Sequence, residues 1–321
     1  MRQQIGKIRR LQQCATADGH FVILAMDHRG NLRRSLNPPD PAAVSYAAMV
    51  EFKKQVAGSL APVASAILLD PEYGAAQGVA AGAVPGKVGL VVALEETGYT
   101  GDPTARESKI LPGWGVEKIV GIGASAVKLL LYYHPQAPNA TDQEVLVRQV
   151  ASSCRQYDIP FFLEPLSFSL DPVVKKLPSA AKREVVVETA RRLTPLGVDV
   201  LKAEFPLNIE DELDEGVWLQ ACMEVTEASS APWVLLSAGV SFEEFEAQTE
   251  VACRAGASGV MVGRAVWKEA ASLEGDARTG FLSTLARERM ERLGKITAEH
   301  ARPYTSYGRP IAIEEGWYHN Y

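Results

Sequence analysis

Short apolar stretches of five to eight residues recur along the chain, each followed by polar residues or glycine. They are rich in Val, Ile, Leu and Phe, and they are too short to be core helices, which indicates strands buried on both faces. The predicted strands lie at 21–26, 65–69, 88–94, 126–133, 159–163, 198–203, 232–237 and 258–263.

Segments with helical spacing of apolar residues separate most of these strands, among them 41–57, 142–157 and 181–193. Alternation of buried strands with amphipathic helices predicts a parallel sheet covered by helices. Eight such units favour a closed (β/α)₈ barrel of the TIM type, in the α/β class.

An open doubly wound sheet is the alternative architecture, and it should carry a glycine-rich fingerprint after its first strand. The stretch GIGAS at 121–125 precedes a strand, so it is typical of the connection that leaves a helix. We therefore predict one domain over residues 1–321, with the barrel core at about 20–270. The extension at about 271–321 should add a helix and an aromatic-rich tail, which either packs on the barrel or contacts another subunit.

Composition places the chain among ordinary globular proteins, with 47% hydrophobic and 22% charged residues in 321. The formal net charge of -6 and the pI near 5.5 disfavour a nucleic-acid partner and favour small molecules. No apolar stretch has the length of a signal region or a membrane span, so we expect a cytoplasmic protein that does not enter a membrane. Four widely spaced cysteines fit reduced thiols, namely Cys14, Cys154, Cys222 and Cys253.

Polar side chains follow or end most of the predicted strands. Barrel enzymes bind and react at the carboxyl ends of their strands, so these side chains should converge on one mouth. Any single one could instead cap a helix or form a structural ion pair. The candidates are Asp27, His28, Arg29, Asp70, Glu72, Glu95, Glu96, Lys128, Glu164, Lys202 and Glu204.

Lys202 is the central candidate, within the stretch DVLKAEFPL at 199–207. Strand alternation places Lys202 on the same face as Val200 and Glu204. A structural salt bridge is one interpretation. The other is catalytic: burial and a second cation, Lys128, should favour the neutral amine, which is the nucleophile of Schiff-base chemistry.

Glycine-containing turns follow the last two predicted strands, which end in SAGVS at 237–241 and VGRAVW at 262–267. If each turn begins a helix, free backbone N–H groups and the helix dipole can face an anion, and Arg264 adds a charged fork. Purely structural turns would also use glycine. The pattern favours a phosphate site formed by Ser237, Ala238, Gly239, Gly263 and Arg264.

The five histidines show neither HxH nor HExxH spacing, so we expect no metal site and no cofactor. His28 and His134 fall near strand ends and are interpreted as polar lining of the pocket.

The chain resembles the tagatose 1,6-bisphosphate aldolase family, a group of class I aldolases that includes related sulfofructosephosphate aldolases. The likeness extends over about residues 20–270. The motifs that carry it are AMDHRG, SAILLDPEYG, ALEETGY, AVKLLLYY, IPFFLEPLS, VDVLKAEFP, PWVLLSAGVS and GASGVMVGRAVW.

The resemblance implies that Lys202 forms the Schiff base, that Glu164 shuttles protons, and that Lys128 and Asp27 assist. It also implies that Ser237, Gly239, Gly263 and Arg264 bind a phosphate. We interpret His28 and Arg29 as substrate-binding residues, and either Arg29, Arg106 or another cation should meet the anionic group at the far end of the substrate. His28 departs from the family pattern, which usually has glutamine at this position.

The implied activity is cleavage of a ketohexose 1,6-bisphosphate to dihydroxyacetone phosphate and glyceraldehyde 3-phosphate. The stretches DPEYG and EETGY favour the tagatose branch over the sulfosugar branch, which stays an alternative. A non-catalytic barrel that binds a sugar phosphate and signals to a partner is the other alternative. Trp317, Tyr318 and Tyr321 predict a homo-oligomer, because a monomer would have to cover their apolar area itself.

Overall fold

The computed structural model describes residues 4–308 and 312–321. Eight parallel strands close into a barrel in sequence order, which confirms the predicted architecture. The strands are β1 Phe21–Met26, β2 Ala66–Leu69, β3 Gly89–Ala93, β4 Ala126–Tyr132, β5 Phe161–Leu166, β6 Val200–Ala203, β7 Trp233–Leu236 and β8 Gly259–Val262.

Helices cover the barrel from outside, and the three predicted helical segments are confirmed. The helices are α1 Ile5–Cys14, α2 Gly30–Leu36, α3 Tyr46–Leu60, α4 Ala75–Ala80, α5 Val116–Gly121, α6 Ala140–Gln156, α7 Ser179–Leu193, α8 Glu215–Ala228, α9 Phe242–Arg254, α10 Arg264–Trp267, α11 Gly275–Phe281 and α12 Arg287–His300. Helix α3 begins later than predicted, because Pro41–Ala43 forms a separate 3₁₀ turn and Ser45 caps α3 by accepting a hydrogen bond from the Ala48 N–H.

Alternating residues of each strand face two different cores. In β6, Val200 belongs to the small core inside the barrel, whereas Leu201 and Ala203 belong to the larger core between sheet and helices. Lys202 therefore points into the barrel, as the alternation predicts. The inner core contains mainly Phe21, Ile23, Ala25, Ala66, Leu68, Val91, Ala126, Phe162, Val200, Val234 and Met261.

The amino-terminal end of the barrel is plugged. The end of α1 packs so closely on β3 that a Cβ atom on Gly89 would lie 2.5 Å from the carbonyl oxygen of Gln13. Cys14 is fully buried within the inner core. The Tyr304 ring covers the same end, with its centroid 5.2 Å from that of Phe21. The opposite end, at the carboxyl termini of the strands, opens into a large cavity.

The extension beyond the last strand packs on the barrel. Helices α11 and α12 are continuous through a π-helical turn at Leu282–Ala286, and the Arg289 guanidinium donates to the Val266 carbonyl. At the end of the tail, the Tyr321 hydroxyl accepts a hydrogen bond from the Gly6 N–H at 2.9 Å. Part of the predicted tail, residues 309–311, lies outside the described residues. Across 4–308 and 312–321, no helix combines the length and apolar character that a membrane crossing demands.

Candidate active site

A cavity of about 710 Å³ opens at the carboxyl end of the strands. Most of the predicted site residues line it, which brings together side chains from β1, β5, β6, β7 and β8. These lining residues are Asp27, His28, Arg29, Glu164, Lys202, Ser237, Ala238, Gly263 and Arg264. Lys128 is fully buried beneath the floor, and Gly239 lies behind Arg264.

Two lysines share one carboxylate on the cavity floor. The Nζ atom of Lys202 lies 2.7 Å from Oε1 of Glu164, and Nζ of Lys128 lies 2.7 Å from Oε2 of the same residue. Lys128 also donates hydrogen bonds to Oδ2 of Asp27 at 2.7 Å and to Oε1 of Glu95 at 2.8 Å. We call these five residues the open cluster, because Lys202, Glu164 and Asp27 face the cavity.

Charge pairing keeps the open cluster ionised despite its burial. Burial opposes the ionised form of Asp27, but Lys128 and Lys202 outweigh it and lower the pKa of Asp27 well below its usual value. The same competition lowers the pKa of Glu164. For Lys128, burial opposes the charge, while Asp27, Glu164 and Glu95 raise the pKa well above its usual value. Lys128 therefore stays cationic and holds both carboxylates in place.

Lys128, which we interpret from the sequence as the second cation near Lys202, does not stand alone in the structure. Three carboxylates surround Lys128, so its charge is compensated where it lies. The electrostatic repulsion between Lys128 and Lys202 is therefore reduced, because the Glu164 carboxylate lies between the two amines.

Two other strand-end residues do not have the predicted place. Asp70 lies outside the barrel, where its Oδ1 atom accepts from Nζ of Lys53 on α3. His134 does not line the cavity; its Nδ1 atom accepts a hydrogen bond from the Gln136 N–H at 3.1 Å. Chain turns after β2 and β4 carry both side chains away from the mouth.

Arg29 lines the cavity, but its guanidinium is already engaged. It donates to Oε2 of Glu72 at 2.7 Å and to the carbonyl of Glu95 at 2.6 Å, with only 6% of the residue exposed. Burial opposes its charge, and Glu72 and Glu95 together raise its pKa. Arg29 thus joins β1 to the turns after β2 and β3.

The turns after β7 and β8 form one compact unit. Ala238 and Gly239 both have positive φ angles, of 46° and 86°. Gly239 also lies close to the Arg264 guanidinium, since a Cβ atom there would lie 2.9 Å from Cζ of Arg264. The Gly263 N–H donates to Oγ of Ser237 at 3.3 Å. Positive φ at a non-glycine residue is uncommon and is found at ligand-binding turns.

Part of the amino terminus of α9 is already satisfied within the chain. Ser241 and Glu244 form a reciprocal capping box, which occupies the backbone N–H groups of these two residues. The other polar groups on this side include the turn at Ser237 to Gly239 and the side chain of Arg264. Burial lowers the pKa of Arg264, while Asp27 and Glu164 oppose that shift.

His28 is held as a neutral imidazole. Burial lowers its pKa to about 3, with smaller contributions from Arg264, Lys202 and Lys53, while Asp27 acts in the opposite direction. Its ring packs edge-on against Trp267, and a Cβ atom at Gly263 would lie 2.9 Å from its Cε1 atom. Glycine after β8 thus leaves room for the imidazole ring.

Several cavity residues are absent from the sequence prediction, namely Asn31, Arg34, Tyr99, Tyr132 and Ser167, whereas Arg106, one of the candidate cations for the far end of the substrate, does line the cavity. Tyr99 and Arg106 belong to a long hairpin after β3, which is fastened by isolated bridges between Glu95 and Ile110 and between Thr100 and Glu107. The length of this connection was the available signal, because long loops at a barrel mouth commonly carry function.

Metal ligands are not grouped in the described ranges. Over residues 4–308 and 312–321, no set of three His, Cys, Asp or Glu side chains is arranged to hold a metal ion. The polar groups in the cavity are instead amines, guanidinium groups and carboxylates.

Comparison with known proteins finds aldolases that match most of this chain. A family model described as DeoC/LacD family aldolase matches residues 21–269. The tagatose 1,6-diphosphate aldolase of Lactococcus lactis subsp. lactis is 33% identical, covering 93% of this chain and 97% of that protein. The tagatose 1,6-diphosphate aldolase 2 of Streptococcus mutans is also 33% identical, with coverages of 93% and 96%. A solved Schiff-base-forming fructose-1,6-bisphosphate aldolase has a similar fold, with a TM-score of 0.58, 22% identity and coverages of 88% and 99%.

Proposed function

The chain belongs to the DeoC/LacD family of aldolases, and on that premise we propose that it cleaves a ketohexose 1,6-bisphosphate through a Schiff base on Lys202. The products are dihydroxyacetone phosphate and glyceraldehyde 3-phosphate. One observation carries this proposal: a single carboxylate, Glu164, lies 2.7 Å from each of two buried amines at the floor of the cavity.

Lys202 acts as the nucleophile. Glu164 is close enough to take the proton that Lys202 must lose before the nitrogen lone pair attacks the C2 carbonyl carbon. Attack gives a zwitterion, in which the nitrogen loses a proton and the former carbonyl oxygen gains one to give a carbinolamine, and loss of water then gives an iminium ion. Glu164 returns the proton that makes the departing hydroxyl a leaving group.

Cleavage follows from the iminium ion. The C4 hydroxyl loses its proton to Glu164, directly or through water, and the C3–C4 bond breaks as C4 becomes the aldehyde carbonyl. The bond electrons move to the iminium nitrogen and leave an enamine on Lys202. Protonation at C3 and addition of water at C2 release dihydroxyacetone phosphate and restore the amine.

Lys128 and Asp27 are positioning residues in this scheme. Lys128 stays charged between three carboxylates and so holds Glu164 ionised and oriented toward Lys202. Ser237, Gly239, Gly263 and Arg264 bind the C1 phosphate beside the reacting ketone, where the rigid turns and the charged fork of Arg264 favour an oxyanion.

Borohydride trapping tests the proposal. Dihydroxyacetone phosphate and borohydride should fix a three-carbon adduct on Lys202, located by mass spectrometry of the digested protein. Lys53, which is also buried, serves as the internal control and should carry none. An adduct on another lysine, or no adduct, would contradict the assignment. In the second case, a non-catalytic sugar-phosphate-binding barrel becomes the better interpretation.

Substrate comparison tests the branch of the family. Tagatose 1,6-bisphosphate, fructose 1,6-bisphosphate and sulfofructose 1-phosphate share the C1 phosphate and differ in the C4 configuration or in the group on C6. We expect higher kcat/KM for the bisphosphates. A clear preference for the sulfonate would place the protein in the sulfosugar branch, with the chemistry of Lys202 unchanged.

Three further expectations stay predictions. Exhaustive chelation should leave the activity intact, and activity that is lost on chelation and restored by zinc would contradict metal independence.

Light scattering should show an oligomer, because Trp317, Tyr318 and Tyr321 are 37%, 64% and 43% exposed. Fractionated cells should show the protein in the cytoplasm.

A further inference from the structure

An arginine stacked on aromatic rings forms one wall of the cavity. The Cζ atom of Arg106 lies 4.7 Å from the ring centroid of Tyr99, 5.7 Å from that of Tyr132 and 5.0 Å from that of Phe168. We propose that Arg106 binds the anionic group at the end of the substrate remote from C1. This inference rests on the proposed function and assigns a residue to its distal end.

The charge of Arg106 has no acidic partner within the protein as described. In residues 4–308 and 312–321, no carboxylate lies within ion-pair distance of its guanidinium, whose Nε–H donates to the Pro103 carbonyl at 3.1 Å. The aromatic rings fix the plane of the guanidinium and shield its faces, which leaves the terminal N–H groups at its edge for a ligand.

The other arginines at the mouth already have hydrogen-bond partners or lie near the predicted C1 phosphate site. Arg29 is bonded to Glu72 and to the Glu95 carbonyl. Arg34 donates to Asn31 and lies near Arg264, whose pKa it helps burial to lower. Arg34 therefore belongs to the same corner as the predicted C1 phosphate site.

Arg106 stands across the mouth from that corner. In a closed barrel of eight strands, β4 lies opposite β8. Arg264 follows β8, whereas Arg106 rests on Tyr132 at the end of β4. Lys202 and Glu164 lie on β6 and β5, between the two corners on one side of the ring. A six-carbon chain with C2 at Lys202 and its C1 phosphate at Arg264 therefore extends toward Arg106.

The ligand group is a tetrahedral oxyanion, either a phosphate or a sulfonate. Both offer several oxygens to the planar fork of a guanidinium, and the phosphate carries the larger charge. Tyr99 and Tyr132 add an amphipathic wall that also lines the cavity. A neutral hydroxymethyl group in the same place would leave the arginine without its partner.

The test uses Arg106→Met, which retains a long unbranched stem against the rings and removes the charge. With tagatose 1,6-bisphosphate and with sulfofructose 1-phosphate, kcat/KM should fall by about 10- to 100-fold. With tagatose 1-phosphate, whose C6 carries a neutral hydroxyl, it should change by less than about twofold. Arg106→Lys should recover part of the loss, because it restores the charge without the fork. For Arg106→Met, the larger of the losses in kcat/KM with tagatose 1,6-bisphosphate and with sulfofructose 1-phosphate shows whether phosphate or sulfonate binding depends more on Arg106.

Equal losses on all three substrates would mean that Arg106 only supports the hairpin, and no loss on any would mean that the distal group lies elsewhere. Either result overturns the inference. Borohydride trapping with dihydroxyacetone phosphate should be unchanged in Arg106→Met, since that ligand has only the near phosphate. If the wild-type protein itself traps nothing, the proposed function fails, and the inference is then decided by binding alone. In calorimetry, Arg106→Met should raise the Kd of hexitol 1,6-bisphosphate by about 10-fold or more and leave the Kd of hexitol 1-phosphate unchanged. Equal weakening of the two would refute the inference.

Discussion

Lys53 and Lys202 are both buried lysines bonded to a carboxylate, yet they occupy opposite sides of the same sheet. Lys53 is 1% exposed, and its amine donates to Asp70 and to the Met26 carbonyl between barrel and helices. Lys202 is 4% exposed and pairs with Glu164 inside the barrel, at the floor of the cavity. We call Lys53 and Asp70 the closed pair, in contrast to the open cluster.

The difference lies in what the remaining hydrogen-bonding positions face. In the closed pair, the second oxygen of Asp70 accepts from the backbone N–H groups of Glu72 and Tyr73, so no position is left for a ligand. In the open cluster, the shared carboxylate of Glu164 and the amine of Lys202 border a cavity. Burial and charge pairing alone do not identify chemistry, whereas access from a cavity does.

The largest effect should come from removing the amine of the open cluster. Lys202→Met should lower kcat by roughly 10⁴-fold or more, because no other group can form the covalent intermediate. Steady-state kinetics measures the loss, and borohydride trapping should fail as well. The free energy of unfolding should fall by no more than about 1 to 3 kcal/mol, because Lys128 still holds Glu164. A variant with substantial activity would remove the distinction between the two lysines.

The matched change in the closed pair should act on stability instead. Lys53→Met leaves Asp70 buried without its cation and should lower the free energy of unfolding by about 3 to 5 kcal/mol. Urea denaturation measures this loss. Lys54→Met is the control, since the neighbouring Lys54 and its partner Glu51 are largely exposed and should contribute less than about 1 kcal/mol. If Lys53→Met were as stable as the control, the closed pair would have no structural role.

A smaller loss should follow from weakening the anion corner while the open cluster is kept. Arg264→Ala removes a charged hydrogen-bonding fork, which contributes about 1.5 to 3 kcal/mol, so kcat/KM should fall roughly 10- to 150-fold. The loss in kcat/KM should be the same for tagatose 1,6-bisphosphate, fructose 1,6-bisphosphate and sulfofructose 1-phosphate, because all three carry the C1 phosphate. Arg254→Ala, at an exposed pair on α9, is the control and should leave kcat/KM unchanged. A change below about threefold for Arg264→Ala would place the phosphate elsewhere.

The smallest effect concerns His28, whose pKa is affected by both Lys202 of the open cluster and Lys53 of the closed pair. Its pKa of about 3 lies below the ordinary 6.5, so the unfolded chain binds the proton first as the pH falls. The stabilisation is therefore present above pH 6.5 and is lost as the pH falls toward 3. At pH 5 the loss should reach at most about 2 kcal/mol, because the side chain retains 18% exposure.

His28→Gln should remove this dependence. The difference in unfolding free energy between pH 7.5 and pH 5, measured in urea, should be smaller in the variant than in the wild-type protein. Asp27 and Glu164 also have lowered pKa values, but their contribution is lost only at more acidic pH. An unchanged pH dependence in His28→Gln would show that the imidazole is not held neutral.

The barrel was predictable because its strands are continuous apolar runs with few competing interpretations. The positions at which the strands end were harder to predict. Strand β5 continues through Glu164 to Leu166, beyond the apolar run that ends at Leu163. Glu164 is tolerated inside the strand because it pairs with two lysines. Periodicity reports apolar positions, so a strand that contains a buried carboxylate is predicted too short.

Alternation predicts the site only where the strand geometry persists. In β1, residues Phe21, Ile23 and Ala25 face the inner core, and the same parity carries Asp27 to the cavity. In β2, Ala66 and Leu68 face inward, and parity alone would place Asp70 there too. The chain turns directly after Leu69, however, and Asp70 bonds to Lys53 on the outside.

The sequence could not decide between Arg106 and Arg29 as the distal cation, for a different reason. The place of Arg106 depends on rings from three separate segments, which meet only in the folded hairpin. Neither periodicity nor a local motif contains that information. Long-range contacts of this kind are set by tertiary packing, so a sequence can indicate that a cation is present without indicating which end of a substrate it meets.

The plugged amino-terminal end of the barrel has a consequence for the order of kinetic events. With Cys14 and Tyr304 filling that end, substrate and products share one mouth. In the proposed mechanism, the three-carbon enamine stays attached to Lys202 at the floor after cleavage, while the aldehyde is no longer covalently linked. We therefore expect ordered release, in which glyceraldehyde 3-phosphate departs before hydrolysis frees dihydroxyacetone phosphate. In the synthetic direction the same geometry requires dihydroxyacetone phosphate to bind first.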